Sequence, residues 1–281
     1  MYAGDGAIPR EELLRRIADK DALICLLTDK IDREVLDAAP ALKVIANIAV
    51  GYDNIDVAAA QARGIAVTNT PDVLTEAVAE FTWALILAVA RRVAEGDRLV
   101  RSGGWKGWAL DFMLGTELRG KQLGIIGAGR IGRAVAAKAP AFGIRVAFAR
   151  RDMSVDELLV SSDIISIHTP GTPQTHHLIN RKTLIRMKRS ALLINTARGT
   201  VVDEEALAWA LDERLIAGAA LDVYEREPAV HPGLLAHENV LLAPHLGSAT
   251  RETRTAMAEL AVRNVLAVLS GEEPLTPVAI S

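Results

Sequence analysis

Three stretches of this sequence bring arginine, carboxylate and histidine to the ends of short apolar runs. They are Asn195-Thr196-Ala197-Arg198-Gly199, Asp222-Val-Tyr-Glu225-Arg-Glu227 and Pro244-His245-Leu-Gly247. An arginine fork can hold a carboxylate and polarise a neighbouring keto oxygen. A histidine can hand that oxygen a proton, and a carboxylate beside the imidazole can hold its tautomer and raise its pKa. The set suits hydride transfer to a 2-keto acid. A second histidine, in His168-Thr169-Pro170, also ends an apolar run, and position alone does not choose between His168 and His245. Each residue has a plainer reading as well. Arg198 suits a cap for the helix beginning Asp203-Glu-Glu205, and Glu225 and Glu227 suit surface charges before Pro228. His176, His177, His231 and His237 fall in expected loops as solvated side chains. Convergence on one edge is what favours the functional reading.

Such chemistry requires a hydride carrier, and the segment from Lys121 to Arg151 has the pattern to hold one. An apolar run to Ile126 enters Gly127-Ala-Gly129-Arg130-Ile131-Gly132. An alanine-rich helix follows, and then a second apolar run to Ala149. This is a βαβ unit with G-x-G-x-x-G at its first turn. Gly127 allows the tight turn, Gly129 lets a pyrophosphate approach the backbone, and Gly132 lets helix and strand pack closely. The N–H groups at the helix N-terminus favour phosphate oxygens. A site for NAD usually carries Asp or Glu at the end of the second strand. Here Arg150 and Arg151 stand there instead, with Asp152 one step later. Guanidinium pairs with a 2′-phosphate better than with a hydroxyl. NADP is therefore expected as the preferred cofactor, with NAD as the alternative.

The remaining elements follow from periodicity. Strand-like runs fall at Leu123–Ile126, Ile144–Ala149, Ile164–Ile167, Leu192–Asn195, Ala217–Leu221 and Val240–Ala243, mostly separated by helical segments. The pattern predicts a doubly wound parallel sheet, whose ligands lie beyond the carboxyl ends of its strands. The first ninety residues alternate in the same way, with strands at Ala22–Leu27, Leu42–Val50 and Ile65–Thr68 and a long apolar helix from Thr75 to about Arg92. The fold class is thus α/β, with two Rossmann-like or flavodoxin-like domains. A glycine-rich loop, Ser102–Trp108, leads from one to the other.

Composition narrows the partners. A net charge of −3, with 32 basic residues spread along the chain, gives no support to nucleic-acid or membrane-surface binding. No apolar run is long enough to span a bilayer, and no secretory segment opens the sequence. The lone Cys25 lies in an apolar run and reads as a buried small hydrophobe, in keeping with a cytoplasmic setting. No His, Cys, Asp and Glu cluster has metal-ligand spacing.

The four blocks Gly127–Gly132, Asn195–Gly199 with Val202-Asp-Glu, Leu221-Asp-Val-Tyr-Glu-Arg-Glu-Pro228 and Pro244-His-Leu-Gly-Ser-Ala249 resemble the D-isomer-specific 2-hydroxyacid dehydrogenases. Val50-Gly-Tyr-Asp-Asn-Ile-Asp56, Thr70-Pro-Asp-Val-Leu-Thr-Glu76 and Gly104-Trp-Lys-Gly-Trp108 are most similar to the glyoxylate/hydroxypyruvate reductases among them. The resemblance implies Arg198 as the substrate-binding arginine, His245 as general acid/base and Glu227 as its carboxylate partner. His168 then lines the cofactor with Thr169 and Pro170, while Thr196, Ala197, Asp222 and Gly247 lie near the nicotinamide. Val50 and Gly51 offer N–H groups to the substrate carboxylate, and Trp108 reaches across a homodimer into the partner's site. Residues 1–91 with 247–281 form the substrate-binding domain, residues 92–246 the dinucleotide-binding domain, and catalysis occurs in the cleft between them. The same resemblance implies that the first domain lacks its usual first strand and that the segment after Arg151 is shortened. Alternatives at this level are a dehydrogenase of D-lactate or 3-phosphoglycerate type and a catalytically impaired dinucleotide-binding scaffold.

Overall fold

In the computed structural model, residues 8–150 and 153–279 are described. They form α1 (Arg10–Ile17), β1 (Ala22–Cys25), α2 (Arg33–Asp37), β2 (Val44–Asn47), α3 (Val57–Gln61), β3 (Ala66–Thr68), α4 (Thr75–Ala90) and α5 (Val93–Arg101). There follow β4 (Gln122–Ile126), α6 (Arg130–Lys138), β5 (Arg145–Phe148), α7 (Val155–Ser161), β6 (Ile164–Ile167), α8 (Arg181–Leu184) and β7 (Leu192–Asn195). The last elements are α9 (Glu204–Asp212), β8 (Gly218–Leu221), α10 (Pro232–Leu235), β9 (Val240–Leu242) and α11 (Arg251–Leu269). Two compact units result, Met1–Leu74 with Thr250–Ser281, and Thr75–Ala249.

The first unit has a parallel sheet ordered β1-β2-β3. Leu13, Ile17, Val35, Leu36, Ala59 and Ala60 pack with Ile45 and Val67 to form its core. Asp32 and Asp56 cap α2 and α3 through their side chains, each satisfying an otherwise free helix N–H. Cys25 is buried there, and desolvation pushes its thiol up to about 12. The tail beyond α11 returns to β3, with the Val278 N–H donating to the Val67 carbonyl at 2.8 Å.

The second unit has six parallel strands in the order β5-β4-β6-β7-β8-β9. All six expected strands form. Those in the middle are buried on both faces, which is why they read as continuous apolar runs. Ile165, Ile167 and Leu193 face a core completed by α7 and α9. Ile164, Leu192 and Ile194 face the opposite core, with Trp83 and Ile86 of α4 and Val135 of α6. Strand β5 is one edge of the sheet. Arg150 and Met153 exchange backbone hydrogen bonds just before Ser154, whose capping box opens α7. The crossover is thus short yet capped. Helix α5 lacked a signal in the sequence: it buries none of its residues and follows Arg92, which has φ of 55°.

Candidate active site

Because all six strands run parallel, their carboxyl ends share one edge. Gly127 leaves β4 there with φ of 107°, and a Cβ at this position would lie 2.4 Å from the His168 carbonyl oxygen. A Cβ on Gly132 would lie 2.1 Å from the Gly127 oxygen. Both glycines are therefore required by the fold itself. Gly129 differs. Its φ is −72°, and a Cβ there meets nothing within 4 Å. The protein gives no internal reason for glycine at 129, whereas a phosphate laid against the N-terminus of α6 does. Arg130, Ile131 and Gly132 form the first turn of that helix. The residues present fit a dinucleotide.

At the end of β5, the Arg150 guanidinium lies 4.9 Å from the centre of the Phe148 ring. Cation–π contact holds it beside the strand end. Arg151 and Asp152, expected in the same place, lie outside the described residues. His168 ends β6, and its Nε2 meets the Ser166 hydroxyl at 2.8 Å. Desolvation of the ring lowers its pKa to about 4, so it is neutral at ordinary pH. Thr169 and Pro170 continue from it. The Thr196 hydroxyl, just beyond β7, lies 2.9 Å from that of Thr82 on α4.

Arg198 is held by its own loop. Asn195, fully buried at the end of β7, accepts the Ala197 N–H at 3.0 Å and donates to the Arg198 carbonyl at 2.9 Å. Arg198 also donates to the Ala197 carbonyl at 2.8 Å. The next residue, Gly199, packs so closely on Tyr224 that a Cβ would lie 1.8 Å from its carbonyl carbon. This close approach brings the Arg198 loop against the loop that carries Glu227.

Glu227 and His245 meet directly. Oε2 of Glu227 accepts from Nδ1 of His245 at 2.9 Å, and Oε1 accepts the Tyr224 N–H at 3.1 Å. Both side chains are about a third exposed. Burial pulls the Glu227 carboxyl up, but the His245 hydrogen bond and charge, with smaller help from Arg198, bring it below its usual range. His245 has φ of 54°, and its loop is fixed by Asp222. That buried carboxylate accepts N–H groups of Leu246 at 2.6 Å and Gly247 at 2.8 Å. Burial pushes Asp222 above the ordinary carboxylate range in spite of these bonds. Of the histidines expected to be merely solvated, His176 stacks on His177, and three have hydrogen-bond or ion-pair partners. His177 pairs with Glu225, His237 lies 3.3 Å from Asp212, and His231 accepts the Gly233 N–H. Their partners are 25 and 48 residues away or belong to a local cap, which residue type alone does not reveal.

In the first unit, Val50 and Gly51 follow β2. Asn69 donates to the Val50 carbonyl and Asn47 to the Gly51 carbonyl, both at 2.8 Å. Among the described residues neither backbone N–H has an internal acceptor. Asn69 is in turn tied to Thr276, which is held by the buried Asn264. Trp108 is 81% exposed.

Hydride transfer to a carbonyl is what a dinucleotide cradle beside an Arg, Glu and His set can support. The class is that of nicotinamide-dinucleotide-dependent oxidoreductases. Residues 83–247 match the family described as D-isomer specific 2-hydroxyacid dehydrogenase, NAD binding domain. A glyoxylate reductase from Thermofilum pendens is 56% identical, covering 94% of this chain and 83% of that protein. A solved Thermus thermophilus protein superposes with a TM-score of 0.93 at 50% identity, covering 97% of this chain and 90% of that one. An NADPH-dependent glyoxylate/hydroxypyruvate reductase from Sinorhizobium meliloti, solved with NADP and malonate, gives 0.86 at 39% identity, covering 94% and 85%. The chain belongs to the D-isomer-specific 2-hydroxyacid dehydrogenase family, as its four sequence blocks led us to expect. No helix among the described residues is long and apolar enough to cross a membrane.

Proposed function

We propose that this protein reduces glyoxylate, and by the same chemistry hydroxypyruvate, with NADPH as the preferred cofactor. The observation that carries the reading is the His245–Glu227 pair beside the Arg198 loop. When bound, the reduced nicotinamide supplies a hydride to the keto carbon. His245 donates a proton to the keto oxygen. Its Nδ1 is committed to Glu227, so Nε2 is the nitrogen that faces the substrate. Glu227 holds that tautomer and orients the ring. Arg198 binds the substrate carboxylate through its fork.

The preference for NADPH is supported by Arg150, held against Phe148 at the end of β5, and by the relative described as NADPH-dependent. A homodimer is supported by the run Trp105, Trp108, Leu110, Phe112 and Leu114, all of them exposed. Contiguous apolar exposure of this kind marks an interaction surface. Trp108 is assigned to the partner's substrate site, and sedimentation of the purified protein as a monomer would remove that assignment.

Side-by-side oxidation of NADPH and NADH with glyoxylate tests the proposal. We expect turnover with both cofactors and a lower KM for NADPH. Cofactor binding without turnover would refute it.

A further inference from the structure

The Glu227 loop is held by a residue that hydrogen-bonds to neither Glu227 nor His245. Glu204, the first residue of α9, is only 5% exposed. One of its oxygens accepts the Glu225 N–H at 2.7 Å, and the other accepts the His231 N–H at 3.0 Å. These two donors bracket Glu227 in the chain. Among the described residues Glu204 makes no salt bridge. Two N–H donors on two different oxygens are a pattern that a carboxylate satisfies and an amide cannot. Burying this charged side chain is costly, and the N-terminus of α9 offsets part of that cost. Glu204 also belongs to the segment that carries Arg198, six residues upstream. Its bonds therefore tie the Arg198 segment to the Glu227 loop, beside the close approach of Gly199 to Tyr224. The Glu225 side chain meanwhile pairs with His177 from the loop after β6, so three strand-end loops are joined around this point.

We propose that Glu204 is a positioning residue for the reaction: by gripping both ends of the Glu227 loop it sets the Glu227–His245 contact. The inference rests on the acid/base reading of that pair. A role in folding alone would give Glu204 an effect on melting and none on proton transfer. A positioning role makes its effect pass through Glu227.

The test is a double-mutant cycle on the full chain, with steady-state glyoxylate reduction by NADPH followed across pH. Glu204→Gln is expected to lower kcat on the order of 10- to 100-fold through misplacement of the loop, with KM for NADPH unchanged. Its pH bell should also lose about half a pH unit on its acidic side, because Glu227 is then held less firmly below its usual range. On a Glu227→Gln background the same substitution should change kcat less than twofold. If the two losses multiply, or if Glu204→Gln lowers only the melting temperature, the proposal is overturned. If Glu227→Gln itself leaves kcat and the bell unchanged, the underlying acid/base reading fails, and this inference fails with it. Should Glu204→Gln not fold, Glu204→Asp keeps both oxygens but draws them back by one methylene. It should then show the same changes in smaller measure, and an unchanged bell for that variant would overturn the proposal.

Discussion

Nδ1 of His245 lies 2.9 Å from Oε2 of Glu227, two residues 18 positions apart whose loops leave adjacent strands β8 and β9. The contact requires Glu227 to be ionised. His245 and the Tyr224 N–H keep that carboxyl below its usual range despite burial. Glu227→Gln retains the shape and loses the charge. We expect its kcat to fall roughly 10- to 100-fold, as steady-state assays beside the parent protein would register.

The nucleotide turn gives a paired prediction from two glycines. Gly127→Ala forces φ of 107° on an alanine and drives its Cβ onto the His168 carbonyl. It should lower stability by about 2 kcal/mol or more. Gly129→Ala has an ordinary φ and open space. It should leave the melting temperature within about 1 °C of the parent while raising KM for NADPH about tenfold or more. Thermal melts and cofactor titrations separate the two effects. Equal melting losses in both variants would contradict the assignment of Gly129 to the pyrophosphate.

Arg150 is exposed and rests on Phe148. Its replacement by Gln should raise KM for NADPH by about tenfold, the order expected for loss of one charged phosphate contact. KM for NADH should move less than twofold. Parallel loss with both cofactors would show that Arg150 does not read the 2′-phosphate.

Away from the site, Asp163 accepts the Gln122 N–H and the Lys188 ammonium, both at 2.9 Å, with 18% of its side chain exposed. Burial raises its carboxyl, but these partners win and the net shift is downward. A carboxyl whose folded pKa lies below its unfolded value stabilises the fold above the unfolded value, and loses that contribution as pH falls through the folded one. Asp163→Asn should therefore cost about 1 kcal/mol at pH 7. The gap to the parent protein should close below about pH 4, near the unfolded aspartate value. Denaturant titrations at pH 7 and pH 3 check this. A gap that persisted unchanged at pH 3 would assign the loss to packing instead.

What the sequence revealed follows physical lines. Strands such as Ile164–Ile167 and Leu192–Asn195 are buried on both faces, and that burial is written directly as an apolar run. The glycine turn was legible because Gly127 and Gly132 have steric reasons that no other residue meets. Arg198, Glu227 and His245 were legible as candidates because each follows a strand end, whereas preferring His245 to His168 needed the family resemblance, since both histidines end strands. Helix α5 escaped because none of its residues is fully buried, so no buried stripe marks it. Glu204 and His177 escaped for a different reason. Their partners lie 21 to 48 residues away, and nothing in their own neighbourhoods distinguishes them from helix-start and loop residues. The bounds of β2 were shorter than the apolar run suggested, since the residues past Asn47 turn into the loop that presents Val50 and Gly51.

In the proposed reaction His245 supplies the proton. The most direct test is glyoxylate-dependent NADPH oxidation by His245→Gln beside the parent protein, with NADPH affinity measured on the same samples. We expect kcat to fall about 100- to 10,000-fold while NADPH affinity stays within twofold. Near-parental turnover by that variant would contradict this role.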